Sequence, residues 1–238
     1  MPAHETKECD IQVGTDMNVK CVGIIMDGNR RWAKANGLPK LEGHRRGYER
    51  AIECAHWVRN RGIKHFVLYA FSTENWNREV EEVSYLMNLL REMATKGLRE
   101  LAKENIRVRF VGTRDRLTSD ILSAMELVEK ESAQNDFTIW VCLSYGGRAE
   151  ITAAAAATAA AGVPITEESL HSYFWSALMP DPDLIIRTSG EKRLSNFLLW
   201  QSAYSELFFT DTLWPDFNEK EFDAILADFA SRERRHGK

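Results

Sequence analysis

Runs of continuous apolar, β-prone residues, separated by helical patterns, constrain this chain more than any other feature. Val19–Met26 (V-K-C-V-G-I-I-M) reads as a buried strand, followed by a Gly/Asn turn and a helix over about Gly43–Arg61. Lys64–Phe71, Ile106–Val111, Phe137–Leu143 and Asp183–Arg187 read as four more strands. Between them lie a long charged amphipathic stretch, Glu79–Glu104, a helix over Ser119–Ala133 and an alanine-rich helix after Gly146-Gly147; Phe217–Arg232 predicts a terminal helix. Strands that are apolar throughout, rather than alternating, belong to a parallel sheet covered on both faces. The fold class is therefore α/β. A length of 238 residues without a linker or internal repeat predicts one domain over residues 19–238, preceded by a flexible polar tail over residues 1–18.

Composition removes several functions. Lys plus Arg is 31 against 35 for Asp plus Glu, a net charge of −4, which argues against a nucleic-acid partner held by bulk charge. Cys9, Cys21, Cys54 and Cys142 are too far apart for a C-x-x-C pair. The polar first twenty residues do not read as a signal peptide, and the run Ala153–Ala161 is too short for a membrane span. The expectation is a cytoplasmic protein with reduced thiols and no transmembrane segment.

In an open parallel sheet, ligands bind beyond the carboxyl ends of the strands. Asp27-Gly28-Asn29-Arg30-Arg31-Trp32 follows the first strand, and Ser72-Thr73-Glu74-Asn75-Trp76-Asn77-Arg78 follows the second. Ser144-Tyr145-Gly146-Gly147-Arg148 follows the fourth, while Arg187 leads through Thr188-Ser189-Gly190-Glu191-Lys192 to Arg193, Ser195 and Asn196. Glycine-rich turns that open helices offer backbone N–H groups to anions. Arginine adds a permanently charged, bidentate fork suited to phosphate. Arg31, Arg187 and Arg193, with the Ser195 hydroxyl, read as a diphosphate cradle. Asp27 either caps a turn or, held ionised by arginines, binds Mg²⁺ through one carboxylate. Glu74 either pairs with an arginine, positions a loop or touches substrate, and His44 is either a phosphate donor or an exposed helix-start residue.

Absences sharpen this. The chain lacks G-x-x-x-x-G-K-[ST], G-x-G-x-x-G, G-x-S-x-G, H-E-x-x-H and D-D-x-x-D. Nucleotide loops, a serine-hydrolase elbow, zinc and the two-aspartate-cluster prenyl synthases are thereby disfavoured.

Five segments then resemble the motifs of the cis-prenyltransferases, the family typified by undecaprenyl diphosphate synthase. They are M-D-G-N-R-R-W-A-K (Met26–Lys34), G-H-R-R-G (Gly43–Gly47), Y-A-F-S-T-E-N-W-N-R (Tyr69–Arg78), Y-G-G-R (Tyr145–Arg148) and I-R-T-S-G-E-K-R-L-S-N-F-L-L-W-Q (Ile186–Gln201). The terminal E-R-R-H-G, with Arg235-x-Gly237, also matches. The resemblance implies a parallel sheet of about six strands whose flanking helices enclose a hydrophobic tunnel, in a homodimer. It implies Mg²⁺-dependent condensation of isopentenyl diphosphate with an allylic diphosphate, giving a cis-polyprenyl diphosphate, with peripheral membrane contact when the product is long. Irregular or short-chain coupling of five-carbon diphosphates, or a non-catalytic subunit of a two-component enzyme, are the alternatives.

By the same resemblance, Asp27 binds Mg²⁺ and acts catalytically with Asn75. Gly28, Asn29, Arg31, Lys40 and His44 cradle the allylic diphosphate. Ser72, Asn75 and Trp76 stand where the new bond forms, and Arg187, Arg193 and Ser195 hold the second diphosphate. Arg30, Trp32, Thr73, Glu74 and Arg78 complete the substrate-facing set, and Glu206 completes the metal site from across the dimer. Leu207, Phe208 and Phe209 form the expected hydrophobic edge of that dimer. Ala51, Ala55, Ala70, Leu89 and Phe137 line the tunnel, with Phe137 as its floor. Four positions depart from the pattern: Arg30 and Ser189 stand where glycine is usual, Lys40 where arginine is, and Ser144 where asparagine is.

Overall fold

The computed structural model describes residues 18–93 and 104–232. Most of the expected tail, the end of the charged stretch and the Arg235-x-Gly237 motif lie outside them. The strands are β1 (Cys21–Ile25), β2 (His65–Ser72), β3 (Ile106–Val111), β4 (Phe137–Tyr145), β5 (Leu184–Arg187) and β6 (Glu206–Phe209). The helices are α1 (Asn29–Ala35), α2 (Lys40–Asn60), α3 (Val80–Glu92), α4 (Ser119–Glu131), α5 (Gly147–Ala160), α6 (Glu167–Ser172) and α7 (Glu219–Ser231), with a 3₁₀ turn over Thr73–Asn77.

All six strands pair in parallel, in the order β3-β4-β2-β1-β5-β6. The sequence explains which strands are central. Every residue of β1, β4 and β5 is buried, whereas β3 alternates buried Ile106, Val108 and Phe110 with the half-buried Arg107 and Arg109. A strand covered on both faces must be apolar throughout; an edge strand needs only one apolar face. On one face of the sheet, Ile24, Phe66, Leu68 and Ile139 pack with Phe222, Leu226 and Phe229 of α7. On the other, Cys21, Val67, Trp140 and Ile185 pack with Phe197 and Leu198.

Three elements escape the apolar pattern. β6 has four residues, and α1 buries only Ala33 and is read as a turn. α6 begins with a Thr166/Ser169 capping box, a legible start signal on a six-residue helix. Among the described residues, no helix is long and apolar enough to cross a membrane.

The topology also places a crevice. The chain leaves β1 for β2 on one side, and leaves β5 for β6 on the other, although β1 and β5 are neighbours. Diverging connections leave the carboxyl ends of such a pair open, the usual ligand position in doubly wound sheets. Ile25 is paired with Arg187 at that point, so Asp27 and Arg187 meet over the crevice.

Candidate active site

The first turn of α1 is built by glycine. Gly28 caps the helix at φ 111°, a left-handed conformation that side chains avoid. A Cβ on Gly43 would collide with the backbone carbonyl of Asn29, and one on Gly47 with the Asn29 side chain. Helix α2 therefore lies directly against the start of α1. Its bare backbone leaves the buried Oδ1 of Asn29 without a hydrogen bond.

Asp27 is locked from two sides. Its backbone N–H donates to the Thr188 hydroxyl at 3.0 Å, and that hydroxyl donates to the Asp27 carbonyl at 2.6 Å. Its side chain receives Arg187 Nη2 at 2.8 Å and lies 3.4 Å from Arg31 Nη2. Arg187 is 4% exposed; its Nη1 donates to the Arg193 carbonyl at 2.5 Å and to Ser195 Oγ at 2.7 Å. Arg31 donates to the carbonyl and hydroxyl of Ser189, at 3.0 and 2.5 Å. Ser189 adopts φ 80°, where glycine is the easier residue, and its hydroxyl gives Arg31 an acceptor that glycine would lack.

Burial pushes the Asp27 carboxyl up, but the hydrogen bond and charge of Arg187, with Ser189 and Arg31, outweigh it and hold its pKa below the usual value. Glu82 behaves alike: burial raises it, and Arg78, Arg30, His44 and Lys40 together lower it. Both carboxylates have depressed folded-state pKa values, so their stabilisation is complete above the unfolded range and is lost as pH falls. The thermal midpoint of the protein is expected to fall on acidification below about pH 4.5, and to fall less steeply in Asp27→Asn. Equal slopes for the two proteins in a pH series would contradict this.

Asp27, Gly28, Asn29, Arg30, Arg31, His44, Arg78, Glu191 and Arg193 line one polar pocket. An adjoining one is lined by Asp27, Ser72, Asn75, Arg78, Arg187 and Ser195. Beneath lies an apolar cavity of about 760 Å³, counting its open mouth, between α2, α3, β2 and β4. Its mouth residues Met26, Asn29 and His44 also belong to the polar pocket; its depth is walled by Ala51, Ile52, Leu89, Met93 and Ile139.

Several expected residues are held by contacts within the protein, and Trp32 and Trp76 lie outside these pockets. Trp32 turns away and donates to Asp216 Oδ1 at 2.7 Å. Trp76 donates to Ser144 Oγ at 2.8 Å, packs edge-on against Phe71 and lies under Arg116, outside the cavity lining. Glu74 accepts from Asn196 Nδ2 at 2.7 Å, which ties the 3₁₀ turn to the loop carrying Ser195. Thr73 adjoins Gly146 at the same junction. The Asn75 side chain accepts from the Ser72 N–H at 3.1 Å and so caps its own turn. Lys40 pairs with Glu79 and lies 3.6 Å from Glu82.

Glu206 opens β6 opposite Leu184 and pairs with Arg232 at 2.8 Å. It therefore sits toward the amino end of the sheet, and the chain does not bring it to Asp27. Phe208 is buried against Arg232 within the same chain, leaving Leu207, 37% exposed, as the outward apolar residue of that edge. Ala51, Ala70 and Leu89 line the cavity as expected; Ala55 and Phe137 do not. Phe137 lies two residues before Ile139 on the same face of β4, so Ile139 stands between it and the cavity. Sequence reading missed Glu82 and Glu191. Glu82 sits in E-V-E-E-V, which is indistinguishable from a solvated helix face until α3 is docked.

The site fits Mg²⁺. Among the described residues, no three His, Cys, Asp or Glu side chains converge as a ready metal cage. Asp27, ionised and 30% exposed beside a basic pocket, is a carboxylate of the kind that Mg²⁺ takes together with phosphate oxygens.

Fold and site together define an α/β enzyme whose anion pocket opens onto an apolar cavity. The chain belongs to the undecaprenyl diphosphate synthase family of prenyltransferases, whose family model matches residues 25–237. The isoprenyl transferase of Agrobacterium fabrum is 48% identical over 224 residues, 91% of each chain. That of Thermotoga maritima is 45% identical over 222 residues, covering 91% of this chain and 95% of its own. Among solved structures, lavandulyl diphosphate synthase from Lavandula x intermedia, in complex with dimethylallyl diphosphate, superposes with a TM-score of 0.88 at 32% identity. A probable undecaprenyl diphosphate synthase from Campylobacter jejuni gives 0.79, also at 32% identity. Each alignment covers 93% of this chain and 99% of the other.

Proposed function

We propose that this chain condenses isopentenyl diphosphate with an allylic diphosphate, with Mg²⁺, to give a cis-polyprenyl diphosphate, as a cytoplasmic homodimer. One observation carries the reading: the apolar cavity and the basic pocket share Met26, Asn29 and His44 at their junction. A ligand filling both has an anionic head and a hydrocarbon tail.

The backbone at the start of α1, with Asn29, Arg30, Arg31 and Arg78, holds the allylic diphosphate with its C1 at the crevice. Arg187, Arg193 and Ser195 hold the second diphosphate, so its alkene lies beside C1. The allylic C1–O bond breaks and its electron pair leaves with the diphosphate. The alkene closes a new C–C bond at C1, and loss of a proton sets the new double bond. Asp27 would hold Mg²⁺, which supplies Lewis-acid stabilisation of the departing diphosphate. Asn75 and Ser72 line the same space and orient the reacting groups. The cavity receives the growing tail, and each buried five-carbon unit gains about 4 kcal/mol gross at ~0.8 kcal/mol per methylene-sized group.

The test is an incubation with Mg²⁺, isopentenyl diphosphate and dimethylallyl, geranyl or farnesyl diphosphate, with products read by mass spectrometry. The expected result is a series extended in five-carbon steps and abolished by EDTA. No consumption of isopentenyl diphosphate with any primer would overturn the proposal. The likeness to lavandulyl diphosphate synthase supports a second reading, coupling of two five-carbon diphosphates. A ten-carbon product from dimethylallyl diphosphate alone would select it. Product length follows from the cavity wall. Ala51→Phe, which fills the depth beside Ile52, is expected to shorten the main product by at least one five-carbon unit. An unchanged distribution would place the limiting wall elsewhere.

A further inference from the structure

Glu82 is 1% exposed, yet it lies among four basic groups drawn from three parts of the chain. Arg78, just before α3, donates to Oε1 at 2.8 Å. His44 of α2 lies 3.4 Å from the same oxygen; Arg30 of α1 and Lys40 of α2 each lie 3.6 Å from Oε2. Arg30, His44 and Arg78 line the anion pocket, whereas Glu82 does not. The carboxylate stands behind the cations, and the more exposed Arg30 and Lys40 retain N–H groups that Glu82 does not occupy.

We infer that Glu82 is a positioning residue for the anion pocket: its buried carboxylate holds Arg30, Lys40, His44 and Arg78 convergent, and acts on bound diphosphate chiefly through Arg78. Two arguments support this. Arg30, Lys40 and Arg78, brought together without a counter-charge, repel one another and turn toward water. Arg78 is partly buried and makes a charge-assisted bond to Glu82, so losing the carboxylate leaves a desolvated guanidinium that recovers hydration only by moving. The anion's identity as an allylic diphosphate rests on the prenyl-transfer reading; the convergence of the cations does not.

The direction of the effect separates positioning from simple charge. Glu82→Gln removes a negative charge from a basic pocket, so a non-specific electrostatic role makes diphosphate bind more tightly. A positioning role makes it bind more weakly. The experiment is calorimetric titration of the full chain with inorganic diphosphate for wild type, Glu82→Gln, Arg78→Gln and the double variant. Glu82→Gln is expected to bind about tenfold more weakly, and the double variant no more weakly than Arg78→Gln alone, because residues acting through one contact are non-additive. In turnover, KM for the allylic substrate is expected to rise about tenfold, and KM for isopentenyl diphosphate to rise with it, because Arg78 and His44 also line the adjoining pocket.

Equal or tighter diphosphate binding by folded Glu82→Gln would overturn the inference, as would strictly additive losses in the double variant or no binding by wild type. Should Glu82→Gln fail to fold, Glu82→Asp withdraws the charge by one carbon. It is expected to weaken binding by about threefold, and wild-type binding by it would equally refute the role. Wild-type protein that binds diphosphate but consumes no isopentenyl diphosphate would count against prenyl transfer alone and leave the Glu82 assignment standing.

Discussion

Asp27→Asn is expected to lower prenyl transfer at saturating substrate by about a thousandfold while the protein remains folded, comparable to losing one charge-stabilising group in other reactions with developing charge. The backbone that places residue 27 does not depend on its side chain, because Thr188 holds both its N–H and its carbonyl. Asparagine keeps the size and one oxygen acceptor for Arg187. What disappears is the negative charge, paired with Arg187 and close to Arg31, that the proposed reaction needs to hold a divalent cation. Were Asp27 merely a turn residue, asparagine would serve about as well. The measurement is turnover, with circular dichroism melting as the folding control. A folded variant retaining more than about a tenth of the wild-type rate would remove Asp27 from the reaction.

Arg187→Met is expected to damage stability and activity together. Its guanidinium is 4% exposed and makes three contacts, to the Asp27 carboxylate, the Arg193 carbonyl and Ser195 Oγ. Removing one member of a buried pair typically costs 3–5 kcal/mol, roughly, because the other is left uncompensated. Asp27 keeps some exposure and can recover water, which favours the lower end, about 3 kcal/mol. For a domain of this size that corresponds to a fall of roughly 6–12 °C in Tm. Turnover is expected to drop at least about a hundredfold, because Ser195 and the Arg193 backbone lose the group that arranges them. Arg187→Lys restores the charge but not the planar fork, so it should recover stability better than rate. Stability losses from Arg187→Met and Asp27→Asn should not add, since both report on one contact. A Tm for Arg187→Met within about 2 °C of wild type would show that the pair contributes little.

The parallel α/β class, five of the six strands and the polar segments at four strand ends were legible from the sequence alone. A central strand must be apolar on both faces, and that requirement is written in consecutive residues. So is the chemistry of the loops: glycines that admit backbone to phosphate, arginines in pairs, and an aspartate at the end of β1. The four-residue β6 was legible only through family resemblance, because an edge strand of that length has too few apolar positions to mark itself. Whether Trp32 and Trp76 face the cavity was not legible, since a side chain's direction depends on partners, Asp216 and Ser144, that are distant in the chain. The depth of the cavity, closed by Ile139 before Phe137, follows from how α2 and α3 seat on β2 and β4. Glu82 is the clearest division. In the sequence it is one of several acidic residues on an amphipathic helix. Its burial among cations from α1, α2 and the turn before α3 exists only after those elements pack, because electrostatic partners are chosen by distance in space and not by spacing along the chain.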